Sequence, residues 1–298
     1  MGLFQKIVEQ PQHSLTMLER VLCKEFLYAL KNIQLVTLSY VNYRNRPPNG
    51  ACATQEEKRV ACHEFNPIRT LHGWGQTSAA QSDLELALQR EGFPYVRKGC
   101  YNPFSYIDAN LEYLDKKVNE DLERTRPASG KVDLIGHSLG GILAKRYSQK
   151  HPDKVQRVFQ LGAPNHGTFA AVLGYASFVG MVPPLKQVLA KFRVCLDGSS
   201  ALQMTPHHPF LREINDIRNL PRAVEFYSIC TEYDEVMVGV HNTEHCNVGA
   251  NVNVERDLGV PHVGHLGLIH DPRALHAIAR YIKEQVVGKE REEIRHGV

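Results

Sequence analysis

Apolar residues along this chain fall into two alternating rhythms. From residue 66 onward, short apolar runs at 68–71, 132–135, 155–161 and 224–230 are separated by stretches whose apolar positions recur three or four residues apart. Runs of that length suit strands buried on both faces, and the intervening periodicity suits amphipathic helices. The alternation predicts an α/β protein with a mostly parallel sheet flanked by helices. The clearest stripe, Ile107, Leu111, Leu114, Val118 and Leu122, predicts a helix with one buried face. Later, Val248, Ala250, Val252 and Val254 alternate with Gly249, Asn251 and Asn253, as in a strand with one face in the core. The last helix is bounded by its own signals: Asp271 to cap it, Pro272 at its first position, and Leu275, Ile278, Ala279 and Ile282 as its core face.

Ahead of this domain, Leu15, Leu18, Leu22, Phe26, Ala29, Leu30 and Ile33 sit at helical spacing behind a Thr16/Glu19 capping box. They predict a helix packed on the main body, with membrane or partner docking as the alternative. Residues 45–57, carrying Pro47, Pro48 and Gly50, read as a connector. The chain therefore divides into an N-terminal helix and connector over 1–65, a main domain over 66–290 and a polar tail over 291–298. Within the main domain, 169–185 is apolar and uncharged, yet Gly174, Gly180, Pro183 and Pro184 interrupt it and it is short for a membrane span. With the polar residues that follow, 169–222 is expected to form an inserted helical cap, one side suited to lipid and the other to water.

Composition narrows the class. The 298 residues are 43% hydrophobic and 22% charged, near globular averages, with 35 basic against 32 acidic residues interspersed and a net charge of +3. A nucleic-acid partner is not expected from so balanced a distribution. The odd number of cysteines, 7, lacks paired metal-ligand spacing and fits a reducing compartment. Gln5, Lys6, Glu9, Gln10 and Pro11 leave no apolar signal core at the N-terminus, and Lys6 breaks the myristoylation pattern. A cytoplasmic location is the expectation.

The chemistry begins at Gly136-His137-Ser138-Leu139-Gly140, which follows an apolar run and leads into the helical pattern of Ile142, Leu143, Ala144 and Tyr147. Such a five-mer is common by chance; its position between strand and helix makes it informative. A tight strand-to-helix elbow lifts the Ser138 hydroxyl above the sheet and aims the helix N-terminus at it, so the Leu139 N–H can face a developing oxyanion. A second donor is expected from Leu71-His72-Gly73-Trp74-Gly75 at the end of the first run, with the Trp74 N–H as the candidate. Alternatively the Trp74 side chain only packs the floor of a cleft.

These segments, with Gly162-Ala163-Pro164-Asn165-His166-Gly167-Thr168 and Val263-Gly264-His265-Leu266-Gly267, resemble bacterial lipases of the α/β-hydrolase superfamily over about residues 66–287. The resemblance implies an α/β-hydrolase fold and a chain order of serine, acid, then histidine. It makes Ser138 the nucleophile and His265 its base, ahead of the neighbouring loop histidines His262 and His270. Asp234, on the loop after the 224–230 run, is where such lipases place the acid. Asp257 is the rival, and Glu232 and Glu235 share the loop with Asp234.

The expected activity is hydrolysis of carboxylic esters through an acyl-serine, with the apolar cap favouring a lipophilic acyl substrate and transient contact with a lipid surface. Thioester or polyester cleavage would use the same triad, and a non-catalytic binding protein could use the same fold. His241, Glu244 and His245 match a zinc-peptidase spacing, but flanking Gly239, Asn247 and Gly249 argue against a helix there. No cofactor and no catalytic metal are expected.

Overall fold

The computed structural model describes residues 65–172, 199–237 and 249–296, together with Lys24, Leu27, Tyr28, Leu30 and Lys31 of the N-terminal segment. Its centre is a 6-stranded sheet in the order β2-β1-β3-β4-β5-β6. The strands are β1 (Ile68–Leu71), β2 (Val96–Lys98), β3 (Val132–His137), β4 (Val155–Leu161), β5 (Glu225–Cys230) and β6 (Ala250–Asn253). Every neighbouring pair is parallel. The α/β class and the mostly parallel sheet expected from the apolar rhythm are therefore what the chain adopts. β2 is the strand that the rhythm does not reveal, because its Val96-Arg97-Lys98 has two charged residues and lies at the sheet edge, where only one neighbour is needed.

Six of the helices position the site or its supports: α1 (Ser82–Arg90), α2 (Leu111–Thr125), α3 (Leu139–Lys150), α4 (Ser199–Gln203), α5 (Pro209–Asn215) and α6 (Gly267–His270). α7 (Pro272–His296) closes the domain and runs on into the segment expected to be a polar tail. The stripe from Ile107 to Leu122 forms, with a 3-10 turn (Ile107–Asn110) opening α2. Asp271 caps α7 through its carboxylate, which accepts the Arg273 N–H at 2.9 Å.

Alternation along the strands divides the core between the two sheet faces. Ile135, Phe159 and Leu161 pack with Leu84 and Leu88 of α1 and Ile278 and Ile282 of α7. Val132, Leu134, Val155 and Val158 pack on the other side with Leu114 and Val118 of α2 and Ile142 and Leu143 of α3. Each fully buried aliphatic side chain of this kind contributes about 1.5–3 kcal/mol over its exposed state, so both faces are committed and the sheet has no free side.

The chain winds outward from β1 to β2, then returns to β3 and continues through β4, β5 and β6. β1 and β3 are therefore neighbours whose following loops diverge, a topological switch point at their carboxyl ends. Buried ion pairs brace the sheet away from that end. Arg69 on β1 makes two 2.7 Å bonds to Asp121 on α2, and the Tyr95 hydroxyl donates to the same carboxylate at 3.0 Å. Asp133 on β3 meets Arg157 at 3.2 Å and Asn66 at 3.0 Å; burial nonetheless pushes its carboxyl above the usual range.

The described N-terminal residues are helical and lie against the junction of α6 and α7. The Tyr28 ring is 5.7 Å from that of His270, Lys24 is 3.9 Å from Asp271, and Lys31 pairs with Asp83. The Thr16/Glu19 capping box and the 45–57 connector lie outside the described residues. No helix among the described residues is long and apolar enough to cross a membrane.

Asp121→Ala should strand Arg69 in the core and lower unfolding free energy by about 3–5 kcal/mol in urea titration, whereas Arg69→Met with Asp121→Leu should recover most of that loss. An Asp121→Ala protein as stable as wild type would show that the pair does not brace the sheet.

Candidate active site

At the end of β3 the backbone makes a turn that ordinary residues avoid. Ser138 has φ 53° and ψ −123°, a region that costs an L-residue on the order of 1–3 kcal/mol unless its surroundings hold it there. They do so on both sides: the Ser138 N–H donates to Leu161 O at 2.8 Å, and its own carbonyl accepts the Gly141 N–H at 2.9 Å. The flanking glycines follow from close approach. A Cβ on Gly136 would stand 2.2 Å from Gly140 O, and one on Gly140 would stand 2.3 Å from Leu71 O. The second contact brings the end of β1 onto the start of α3. Ser138 is the residue that caps α3, and Leu139 is its first residue.

That approach carries the turn after β1 to the nucleophile candidate: a Cβ on Gly73 would lie 3.2 Å from Ser138 Cβ. Gln76 holds this turn, its side-chain oxygen accepting the Gly73 N–H at 2.7 Å and its own N–H donating to Gly73 O at 3.3 Å. His72 Nδ1 also meets Gly73 O, at 3.0 Å, and its ring stacks on Tyr101 with centroids 4.3 Å apart. The Trp74 ring packs edge-on against Phe104 at 5.4 Å and joins the core on the α2–α3 side. The side chain thus packs against the core, while its backbone belongs to the turn beside Ser138.

From the loops after β5 and β6 come Asp234 and His265, both buried, with His265 Nδ1 2.8 Å from Asp234 Oδ2. The other oxygen, Asp234 Oδ1, accepts N–H bonds from Val236 at 3.1 Å and Met237 at 2.8 Å, so the carboxylate is held at both ends. The His265 N–H donates to Glu235 at 3.1 Å. Asp257 is engaged elsewhere: it accepts the Asn253 N–H at 2.7 Å and pairs with Arg256 at 2.8 Å. Glu232 is exposed on the same loop as Asp234. Of the other loop histidines, His262 meets the Tyr233 ring edge-on at 5.2 Å and His270 meets Asp83 at 2.8 Å.

His137 links the elbow to the base loop. Its Nε2 lies 3.1 Å from the His265 carbonyl oxygen, and the two rings are 4.6 Å apart. Burial holds His72 down to about 4 and His137 well below the ordinary imidazole range, the latter with help from His265 beside it. Both are therefore neutral near neutral pH. Sequence reading assigns no role to His137, Gln76 or Glu255. Glu255 braces the acid and base loops by accepting the Thr231 hydroxyl at 2.7 Å and the Val263 N–H at 3.3 Å. Only the place of His137 inside the serine five-mer hints at any of these contacts.

The expected cap at 169–222 is described only at its two ends. Thr168, just before it, donates its hydroxyl to Val236 O on the acid loop and its N–H to Met204 O at 2.9 Å. Phe169 and Val172 follow and are exposed, at 69% and 42% of their full surface. Residues 173–198 and the His241/Glu244/His245 segment lie outside the described residues. Among the described residues, no group of three or more His, Cys, Asp or Glu side chains is arranged to hold a metal ion.

A family model for the alpha/beta hydrolase fold matches residues 112–184, a span that holds the elbow and all of α3. Over 54 residues, 17% of this chain, the sequence is 41% identical to 1-acylglycerol-3-phosphate O-acyltransferase ABHD5 of Sus scrofa and 39% identical to the Homo sapiens protein of that name. The match spans 16% of the length of each of those relatives. The mature lipase BlEst2 of Bacillus licheniformis superposes with a TM-score of 0.50 at 17% identity, covering 74% of this chain and 91% of the lipase. At that identity the likeness speaks for the fold. The family model's match across the serine elbow and the likeness to the lipase agree with the parallel six-stranded sheet in showing an α/β-hydrolase fold.

Proposed function

We propose that this chain is a serine hydrolase of carboxylic esters, with Ser138 as nucleophile, His265 as general base and Asp234 as the acid that orients the base. The observation that carries the reading is the convergence of a strained serine elbow with a buried His–Asp pair, joined through the 3.1 Å contact between His137 and the His265 carbonyl. A serine kept in a disfavoured conformation and an imidazole with one nitrogen held by a carboxylate are the parts that acyl transfer requires.

In the proposed reaction Ser138 Oγ attacks the ester carbonyl while its proton passes to His265 Nε2. Asp234 holds Nδ1–H, which keeps Nε2 free to accept and steadies the imidazolium that forms. The Trp74 and Leu139 N–H groups stabilise the oxyanion. The tetrahedral intermediate then expels the alcohol, which takes the proton from His265 and leaves an acyl-serine. Water, deprotonated by His265, attacks that ester; the acid departs and Ser138 Oγ recovers its proton. Because His72 and His137 are neutral, neither repels the positive charge that His265 must acquire.

The preference for lipophilic acyl groups rests on Phe169 and Val172, exposed apolar side chains that follow directly on Thr168, which is bonded to the acid loop. An acyl chain laid along them would leave water, and each methylene so buried contributes about 0.8 kcal/mol. The same face would meet a lipid surface during substrate uptake.

Ser138→Ala and His265→Ala should each lower kcat on a p-nitrophenyl ester by about four orders of magnitude or more, with the circular dichroism spectrum unchanged, because triad members act as a unit. Full activity in Ser138→Ala would sink the mechanism. Asp234→Asn should reduce kcat by about three to four orders of magnitude and Asp257→Asn by less than about threefold; the reverse ranking would move the acid to Asp257. Replacing Phe169 and Val172 by Asp should depress hydrolysis of palmitate esters at least about tenfold more than that of acetate esters. Equal losses on the two substrates would remove these residues from the acyl path.

A further inference from the structure

His137 is fully enclosed between the base loop and the turn after β1, and it is the immediate chain neighbour of Ser138. Two acceptors face its ring: the His265 carbonyl oxygen 3.1 Å from Nε2, and Gln76 Oε1 3.4 Å from Nδ1. Gln76 cannot turn its amide nitrogen toward His137 instead, because its oxygen is committed to the Gly73 N–H at 2.7 Å. A neutral imidazole owns one N–H and can serve one of the two acceptors. The shorter contact takes it, so Nε2–H donates to the His265 carbonyl and Nδ1 carries the lone pair.

On its other side the ring abuts the turn itself: a Cβ on Gly73 would lie 3.1 Å from His137 Nδ1. Gly73 is pinned by Gln76 at both its N–H and its carbonyl, and by His72 at the carbonyl. Gly73 C=O and Trp74 N–H share one planar trans peptide unit and point in opposite directions. Whatever fixes that carbonyl therefore fixes the direction of the Trp74 N–H. The imidazole of His137 is the spacer between this pinned peptide and the backbone of His265.

We propose that His137 is a positioning residue for the ester hydrolysis assigned above: it sets the separation between the base His265 and the oxyanion turn, while its covalent link to Ser138 keeps both in register with the nucleophile. The inference rests on the hydrolase reading of the site. His137 transfers no proton and touches no substrate. Its loss should therefore act on the chemical step, through misplacement of groups that must act together, rather than on substrate binding.

The test is a set of three substitutions assayed on a soluble short-chain p-nitrophenyl ester, beside wild type and Ser138→Ala. His137→Gln places an amide N–H near the position of Nε2 and keeps the bond to the His265 carbonyl. His137→Asn reaches only as far as Nδ1, and His137→Leu fills the volume without a donor. The expected result is a fall in kcat of about ten- to a hundredfold in the Leu and Asn proteins, KM within about twofold of wild type, and kcat within about threefold of wild type in the Gln protein. Thermal melting identifies a variant that fails to fold, and Asn against Gln then decides the comparison without Leu. Equal kcat in the Asn and Gln proteins, whether both high or both low, overturns the proposal, as does a change confined to KM. A wild type as inactive as Ser138→Ala, or a Ser138→Ala protein as active as wild type, overturns the hydrolase reading itself; a flat His137 series on an active, Ser138-dependent wild type overturns only the positioning role.

Discussion

The near-contact of backbones at the Gly136–Gly140 elbow is the constraint on which the rest of the site depends. With no Cβ at either position, the first turn of α3 can fall back onto β3 and onto the end of β1. That approach forces Ser138 into its positive-φ conformation at the carboxyl end of the sheet, where the residue stays largely buried. It also draws the turn after β1 against the serine. A strained residue persists only where its neighbours over-determine it, and here the bonds to Leu161 and Gly141 do so from opposite sides. The strain is local, and the committed packing on both sheet faces sustains it.

Polar groups in the interior are divided by position. Away from the strand carboxyl ends, the buried side chains of Arg69 with Asp121 and of Arg157 with Asp133 are paired with each other. At the site, the enclosed histidines His72 and His137 are neutral, and their hydrogen bonds go to backbone carbonyls. The difference matters for the proposed chemistry. A permanent cation beside His265 would oppose the imidazolium it must become, whereas a neutral ring can hold the backbone in place without opposing it.

The loops reach the site under similar restraint. Asp234 is held by two N–H groups of its own loop, Glu255 fastens that loop to the one bearing His265, and Thr168 fastens the start of the apolar segment to it. Three separate loops are thereby tied together. In the proposed reaction a reacting atom placed among them would meet groups whose positions are set before it arrives, and preorganisation of that kind is what electrostatic catalysis needs.

Much of this was legible in the residues themselves. Runs of β-branched and aliphatic residues marked four of the strands, because a strand buried on both faces has to be apolar along its length, and alternation marked β6. The serine elbow was readable because close backbone approach admits only glycine at its flanks, a demand that shows in the letters. β2 escaped because an edge strand of three residues has no such demand upon it. The pairing of His265 with Asp234 ahead of Asp257 was favoured in the sequence only through the family resemblance, since both carboxylates follow strands and both precede the histidine. It was decided in space: Asp257 is spent on the turn at Asn253, while Asp234 faces the imidazole. The same holds for His137, Gln76 and Glu255, whose partners lie 128, 61, 24 and 8 residues away along the chain. The sequence by itself determined the α/β class, the elbow and the identity of a nucleophile candidate, because these depend on local periodicity and local steric room. Only the tertiary structure decided which acid meets which base and what holds them, because contacts between distant segments leave no periodic trace in the chain.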